Sequence, residues 1–435
     1  MIKTLVSCLL VVGTTSLAGV IAPAQAFTPL SLTKTFNNPT AEDDDYFGSS
    51  VSLSGTSALI GAYGDKTGAT GAGSAYLFDT TTGTLLKTFN NPTAEDDDYF
   101  GYSVSLSGTT ALIGAPNDST GATSAGSAYL FDTTTGNLLR TFNNPTPADF
   151  DIFGHSVSLS GTTALIGAPS DNTGATGAGS AYLFDTTTGN LLKTFNNPTA
   201  EDYDYFGYSV SLSGTSALIG AINDNTGATN AGSAYLFDTI TGNLLKTFNN
   251  PTPADFDNFG ASVSLSGTSA LIGAYGDSTG ASGAGSAYLF ETTTGTLQQT
   301  FNNPTAEDYD NFGNSVSFSG TSALIGAYGD STGASGAGSA YLFETTTGTL
   351  QQTFNNPTAE DYDNFGNSVS FSGTSALIGA YGDSTGATSA GSAYLYQETQ
   401  TVQVPEPSLT ILGTGVVLGV LPFLKKGKKD KEKDV

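Results

Sequence analysis

Acidic side chains recur in a fixed pattern along the chain. Aspartate pairs two residues apart stand at Asp43/Asp45, Asp96/Asp98, Asp149/Asp151, Asp202/Asp204, Asp255/Asp257, Asp308/Asp310 and Asp361/Asp363. A single aspartate follows each pair, at Asp65, Asp118, Asp171, Asp224, Asp277, Asp330 and Asp383. All of these are candidate metal ligands, with calcium the expected ion, because it accepts carboxylate and carbonyl oxygens in tolerant geometry. The same residues suit a blander role, in which Asp side chains cap backbone amides in turns. Paired acids also hydrolyse glycosides when held roughly 5 to 9.5 Å apart. That chemistry needs an acid and a base in different environments, whereas each copy here presents nearly the same group. Cys8 is the one cysteine, His155 the one histidine, and Trp is absent. Thiol and histidine-triad catalysis, disulfide frameworks and nitrogen- or sulfur-rich zinc sites therefore lack their residues. His155 stands where other copies have Ser49, Tyr102, Tyr208, Ala261, Asn314 and Asn367, and reads as a variable surface position, not a base. The expectation is a protein that is not an enzyme.

Charge narrows the partners. The 435 residues include 39 Asp plus Glu against 13 Lys plus Arg, a net charge of -26. Between residues 27 and 404 the cations are Lys34, Lys66, Lys87, Arg140, Lys193 and Lys246, facing 35 carboxylates. Nothing here neutralises phosphates, so nucleic acid is not a partner. An acidic surface instead attracts divalent cations or a basic partner.

The elements that position these acids repeat. The phenylalanine of TFNNPT occurs at Phe36, Phe89, Phe142, Phe195, Phe248, Phe301 and Phe354, with a period of 53 residues, and such a period indicates a propeller or related array. In the unit at 100–144, alternation and Gly-containing turns predict strand A at Tyr102–Ser107, B at Thr110–Ala115, C at Ser127–Asp132 and D at Leu138–Asn143. Four antiparallel strands make one propeller blade. The first repeat begins with an isolated D strand, Leu30–Asn37, and the last supplies A, B and C without a D. The fold class is therefore all-β: a seven-bladed β-propeller over residues 27–398, closed by the N-terminal D strand pairing with the C-terminal A-B-C strands. An open solenoid would want divergent caps at its ends. In such blades the D-to-A and B-to-C connections lie at one end. With Glu42, Asp44, Glu95, Asp97, Glu201, Glu307 and Glu360, that end carries 28 of the 35 carboxylates. Tyr46, Tyr99, Tyr203, Tyr205, Tyr309 and Tyr362 lie among them as a potential glycan or peptide platform. The residues after Gly-Ala, Tyr63, Pro116, Pro169, Ile222, Tyr275, Tyr328 and Tyr381, vary from blade to blade and are where ligand specificity is expected.

FGYSVSLSG with ALIGAP at 100–116, and FGHSVSLSG with ALIGAP at 153–169, resemble FG-GAP repeats, the unit of the integrin alpha-subunit propeller and of many bacterial surface proteins. The resemblance implies a propeller associated with adhesion or extracellular ligand binding. It also implies calcium in an Asp-rich loop joining strands A and B. The matching connections here, Ser54-Gly55-Thr56 and Ser107-Gly108-Thr109, are short and carry no carboxylate, so that assignment does not transfer.

The ends read as address labels. Residues 1–26 have Lys3, an apolar run and Ala24-Gln25-Ala26, the pattern of a secretory signal peptide with the mature chain starting at Phe27. Residues 399–408 form a linker containing Pro405-Glu406-Pro407. An apolar stretch at 409–424 then precedes a basic tail at 425–435, expected to be cytoplasmic. This end resembles a PEP-CTERM sorting signal, which implies a bacterial exported protein processed by an exosortase-like membrane peptidase, although its lysines alternate with acids. Membrane attachment through 409–424 is then transient or retained. The functional expectation is a noncatalytic cell-surface or matrix module for adhesion or ligand binding, its partner an extracellular polysaccharide or a surface protein. The alternatives are a structural envelope protein without a specific ligand and a polysaccharide-active enzyme.

Overall fold

The computed structural model describes residues 27–398, and the terminal signals read above lie outside them. Among the described residues no helix is long and apolar enough to cross a membrane.

Blade 2 shows the local plan. Its strands are Ser103–Ser107, Thr110–Ala115, Ser127–Asp132 and Leu138–Asn143, so the predicted bounds hold except that A starts one residue later. The four pair in chain order, all antiparallel. Six such blades follow one another, and the seventh takes its D strand from the other end of the chain. Leu30–Asn37 pairs antiparallel with Ser392–Glu398, from Leu30 opposite Glu398 to Asn37 opposite Ser392. This is the closure expected from the complementary ends, and it removes the exposed seam an open array would leave.

Strands B and C are buried on both sides, which is why ALIGA and SAYLF carry apolar residues at nearly every position. One core cluster fills each gap between neighbouring blades. Leu59, Leu77 and Phe89 of blade 1 meet Phe100, Leu106, Ile113 and Phe131 of blade 2. The glycines of the two signature dipeptides permit this approach. A Cβ at Gly61 would sit 2.0 Å from the carbonyl oxygen of Gly101 in the next blade, a contact only an absent side chain allows. Serines complete the contact. Ser50 Oγ donates to Gly101 O at 2.8 Å, and Leu106 N donates to Ser52 Oγ at 3.0 Å.

Strand A is the innermost, and the A strands of all seven blades line an axial channel of about 240 Å³. This corrects the reading of His155 as a surface position. The residue immediately precedes strand A and lines the channel, where its ring lies 5.1 Å from that of Tyr102 and 4.7 Å from that of Tyr208.

Candidate functional site

Each D-to-A connection folds over the B-to-C loop of its own blade and against that of the preceding one. In blade 4, Tyr203 N donates to Thr176 O at 2.7 Å, Tyr205 N to Gly177 O at 3.1 Å and Phe206 N to Ala178 O at 3.0 Å, all in blade 3. To point both amides that way, Tyr203 and Tyr205 take left-handed backbone with φ of 67° and 55°. The residue between them, Asp204, is thereby driven inward. The two acidic connections thus share one end of the disc, as the topology required.

The three aspartates of each blade have distinct jobs. Asp202 is exposed and accepts from Thr176 N of blade 3 at 3.0 Å, which ties neighbouring loops together. Asp204 is 1% exposed, and its Oδ2 accepts from Asn197 Nδ2 at 2.8 Å and Glu201 N at 2.7 Å. Asp224 Oδ2 accepts from Tyr235 OH at 2.5 Å and Thr199 Oγ1 at 3.1 Å, while its Oδ1 accepts from Thr226 N at 2.8 Å. The same arrangement recurs in blade 1, with Asp43, Asp45 and Asp65 as the counterparts. These bonds make the carboxylates loop staples. The buried tyrosine and asparagine partners, and the threonines beside them, do not stand out in the sequence. Tyr76, Tyr129, Tyr182, Tyr235, Tyr288, Tyr341 and Tyr394 sit in the apolar run of strand C and look like core residues until the fold brings each hydroxyl to an aspartate.

Electrostatics separates the two buried sets. Burial pushes Asp45, Asp98, Asp151, Asp204, Asp257, Asp310 and Asp363 up to about 6, and the neighbouring aspartate of the B-to-C loop adds to the rise. At Asp65 and Asp383 burial acts the same way, but hydrogen bonds from Thr67 and Tyr76, or Thr385 and Tyr394, outweigh it and lower the carboxyl.

As a metal centre the ring fits poorly. Among the described residues no three acidic or histidine side chains converge as an ion would require. The A-to-B turns carry no carboxylate. The nearest arrangement is a polar pocket of about 180 Å³ in blade 4, lined by Glu201, Asp204, Asp224 and Thr226, with a smaller counterpart around Glu360, Asp363 and Asp383. Asp204 Oδ1 is buried without a hydrogen-bond partner, as are Asp45 Oδ1 and Asp151 Oδ1.

The aromatic residues divide into two rings. The outer ring is Asp44, Asp97, Phe150, Tyr203, Phe256, Tyr309 and Tyr362, all at φ between 61° and 67°. Its five aromatics are 55 to 68% exposed. The inner ring, Tyr46, Tyr99, Ile152, Tyr205, Asn258, Asn311 and Asn364, is half-buried. Tyr46 stacks on Tyr63 at 5.0 Å, and Tyr63 lies 5.6 Å from Tyr102, so these aromatics pack around the channel mouth. Tyr203 is exposed and Tyr205 half-buried, although their rings meet edge-on at 6.3 Å. Phe150 and Phe256, which as phenylalanines look like core residues in the sequence, join the exposed arc. The signal that would have found them is position relative to Phe-Gly: the residue three before it is exposed, and the residue immediately before it is half-buried.

At the mouth His155 is satisfied by its neighbours. Its Nδ1–H donates to Tyr208 O at 3.1 Å, and its Nε2 accepts from Tyr102 OH at 3.3 Å. Burial lowers the imidazole to about 4. We therefore expect an NMR titration of the His155 ring to show no midpoint between pH 5 and 8, and a midpoint near 6.5 would contradict this placement.

A family profile described as FG-GAP repeat matches residues 39–78, 92–131, 147–184, 198–237, 253–290, 297–343 and 350–396. No match to a curated protein was found. The seven matches span most of the ring, and the Phe-Gly and Gly-Ala contacts between blades give the motif its physical basis. The chain belongs to the FG-GAP repeat family.

Proposed function

We propose that the protein is an exported, noncatalytic binding module of the bacterial cell surface or matrix, and that its loop face holds an extracellular polysaccharide or a surface protein. The observation that carries this reading is the outer ring. Phe150, Tyr203, Phe256, Tyr309 and Tyr362 stand exposed in left-handed backbone, which bulky side chains rarely occupy. Local strain retained at an exposed aromatic is understandable where the ring serves contact with a partner. Sevenfold repetition argues against catalysis: the two buried aspartates of a blade differ in their environments, but no one blade is set apart from the others as a reactive centre. Export, PEP-CTERM processing and transient membrane attachment belong to the same proposal and rest on the terminal sequences.

The test is retention of the full chain on isolated envelope and matrix material. Wild-type protein is expected to bind saturably. A variant with serine at the five exposed aromatic positions and an unchanged melting temperature is expected to lose most of that binding. Equal binding by both proteins would remove the loop face as the functional surface.

Calcium forms the cation-dependent part of this proposal. Asp204 and Asp224 would be its two carboxylate ligands at the edge of their pocket, with backbone and water oxygens filling the other positions, and its charge would offset the repulsion between the two aspartates. At ten times Kd one such site contributes roughly 1.4 kcal/mol. The expected result is a higher melting temperature in calcium than in sodium at equal ionic strength, with saturable heat in a calorimetric titration at pH 7. The effect should fade at pH 5 as protons take the same carboxyls. Neither heat nor shift would reject calcium while leaving the loop-face reading intact.

A further inference from the structure

The outer ring accepts two kinds of residue. In blades 1 and 2 it carries Asp44 and Asp97, and in blades 3 to 7 it carries Phe or Tyr. Carboxylates and aromatic faces have one ligand chemistry in common: both bind guanidinium and ammonium groups, the first by charge-assisted hydrogen bonds and the second by cation–π contact. Each exposed aromatic also follows an exposed aspartate in the chain, as in Asp308-Tyr309 and Asp361-Tyr362. One oxygen of that aspartate accepts from the preceding blade, as Asp308 Oδ1 does from Ser282 N at 3.0 Å. The ring of Tyr309 lies over the next residue of that loop, Gly283, where a Cβ would come 3.4 Å from its Cδ1, so carboxylate and ring rest on consecutive residues of one loop. The D-to-A connections of all seven blades contain no Lys or Arg, and the nearest cation of the loop face is Lys66 in blade 1.

We propose that the arc over blades 3 to 7 is a docking surface for an arginine-rich segment of a partner polypeptide, with guanidinium groups seated between aromatic faces and neighbouring aspartates. Arginine is favoured over lysine because its planar, weakly hydrated head stacks on a ring while its edge bonds a carboxylate. An anionic polymer is repelled by this face. A neutral glycan would use the rings but draw little from the carboxylates beside them. The inference rests on the loop face being the binding surface and names its ligand class.

The probes are an oligo-arginine peptide, an oligo-lysine peptide of equal length and charge, and neutral dextran, each titrated against the full chain at about 0.15 M salt, where long-range attraction is screened. The arginine peptide is expected to bind at least about tenfold more tightly than the lysine peptide. Tyr309→Asn with Tyr362→Asn keeps every charge and suits the left-handed backbone. This double variant should melt no lower than wild type and yet lose about tenfold in arginine-peptide affinity. Equal binding of the two peptides, or undiminished binding by the double variant, would overturn the proposal, because general acidity would then explain the attraction. Retention on envelope material that depends on the five aromatics but is displaced by dextran and not by the arginine peptide would also overturn it, while leaving the loop-face reading standing.

Discussion

Phe36→Ala is expected to destabilise the whole propeller by about 3–5 kcal/mol, although the residue lies in the first described strand. That strand holds two interfaces at once. Phe36 is 2% exposed and packs toward blade 1, with its ring 4.7 Å from that of Phe78. Leu30 is 4% exposed and packs toward blade 6. Gln352 of blade 6 grips the same strand: its Nε2 donates to Leu30 O at 2.7 Å, and its Oε1 accepts from Leu30 N at 2.8 Å. Removing the aromatic leaves a cavity between two blades that are neighbours only through closure. In a closed ring Phe36 and Phe195 occupy equivalent sites, so guanidinium unfolding of Phe36→Ala and Phe195→Ala should show similar losses. A loss below about 1 kcal/mol for Phe36→Ala alone would mean that the terminal strand is dispensable and the ring is open in solution. Because the pairing joins the two ends, its formation is also the step expected to limit refolding.

The second large effect is with pH: the protein is expected to become more stable between pH 7 and pH 5. The seven inward aspartates titrate near 3.8 when unfolded and at about 6 in the fold. A raised carboxyl contributes stability that is fully present below the unfolded value and is lost as pH rises through the folded value. The groups facing Asp204 are Asp224 and Glu201, those facing Asp45 are Asp65, Glu42 and Lys66, and none but Lys66 favours ionisation by its charge. These side chains lie just beneath the loop surface, so screening discounts the gain to about 0.5 kcal/mol per blade, or several kcal/mol in all. His155 opposes the trend, because stability from its lowered value is present above 6.5 and is lost as pH falls toward 4. It is one imidazole against seven carboxyls. Asp65 and Asp383, whose values are lowered, begin to oppose only below about 3.8.

Relief of overall negative charge would raise stability in the same direction, and a pair of variants separates the causes. Asp204→Asn and Asp202→Asn each remove one charge. Asp204→Asn mimics the protonated buried group and still accepts from Asn197 and Glu201 N, so it should add about 1 kcal/mol at pH 7 and remove its own share of the pH dependence, about one part in seven. Asp202→Asn lies in solvent and should change little. Melting curves at pH 5 and pH 7 decide the matter: a flat or falling melting temperature for the wild type, or equal effects of both variants, would count against the buried aspartates as the cause.

The blade was legible in the sequence because its signals are local and repeated. Alternation marks strand A, Gly-containing turns set the hairpins, and the incomplete first and last repeats announce closure. The predicted bounds Thr110–Ala115, Ser127–Asp132 and Leu138–Asn143 all stand. The candidate site was legible only as a set of positions. The three aspartates of one repeat look alike in the chain, yet Asp202 ties two blades, Asp204 is buried with an orphan oxygen, and Asp224 serves a tyrosine from strand C. Tyr203 and Tyr205 look alike too, and one is exposed while the other is half-buried.

The amino-acid order alone determined that seven equivalent four-stranded units must form and that their acids collect at one end, because period, turn spacing and hydrophobic alternation follow from covalent neighbours. The tertiary structure alone decided which carboxyl is buried, which aromatic is exposed and where His155 lies. Those properties depend on contacts between residues of adjacent blades, such as Thr176 with Asp202 and Tyr102 with His155. Such contacts exist only when two sheets stand face to face around an axis, and the burial that sets a charge or frees a ring arises there.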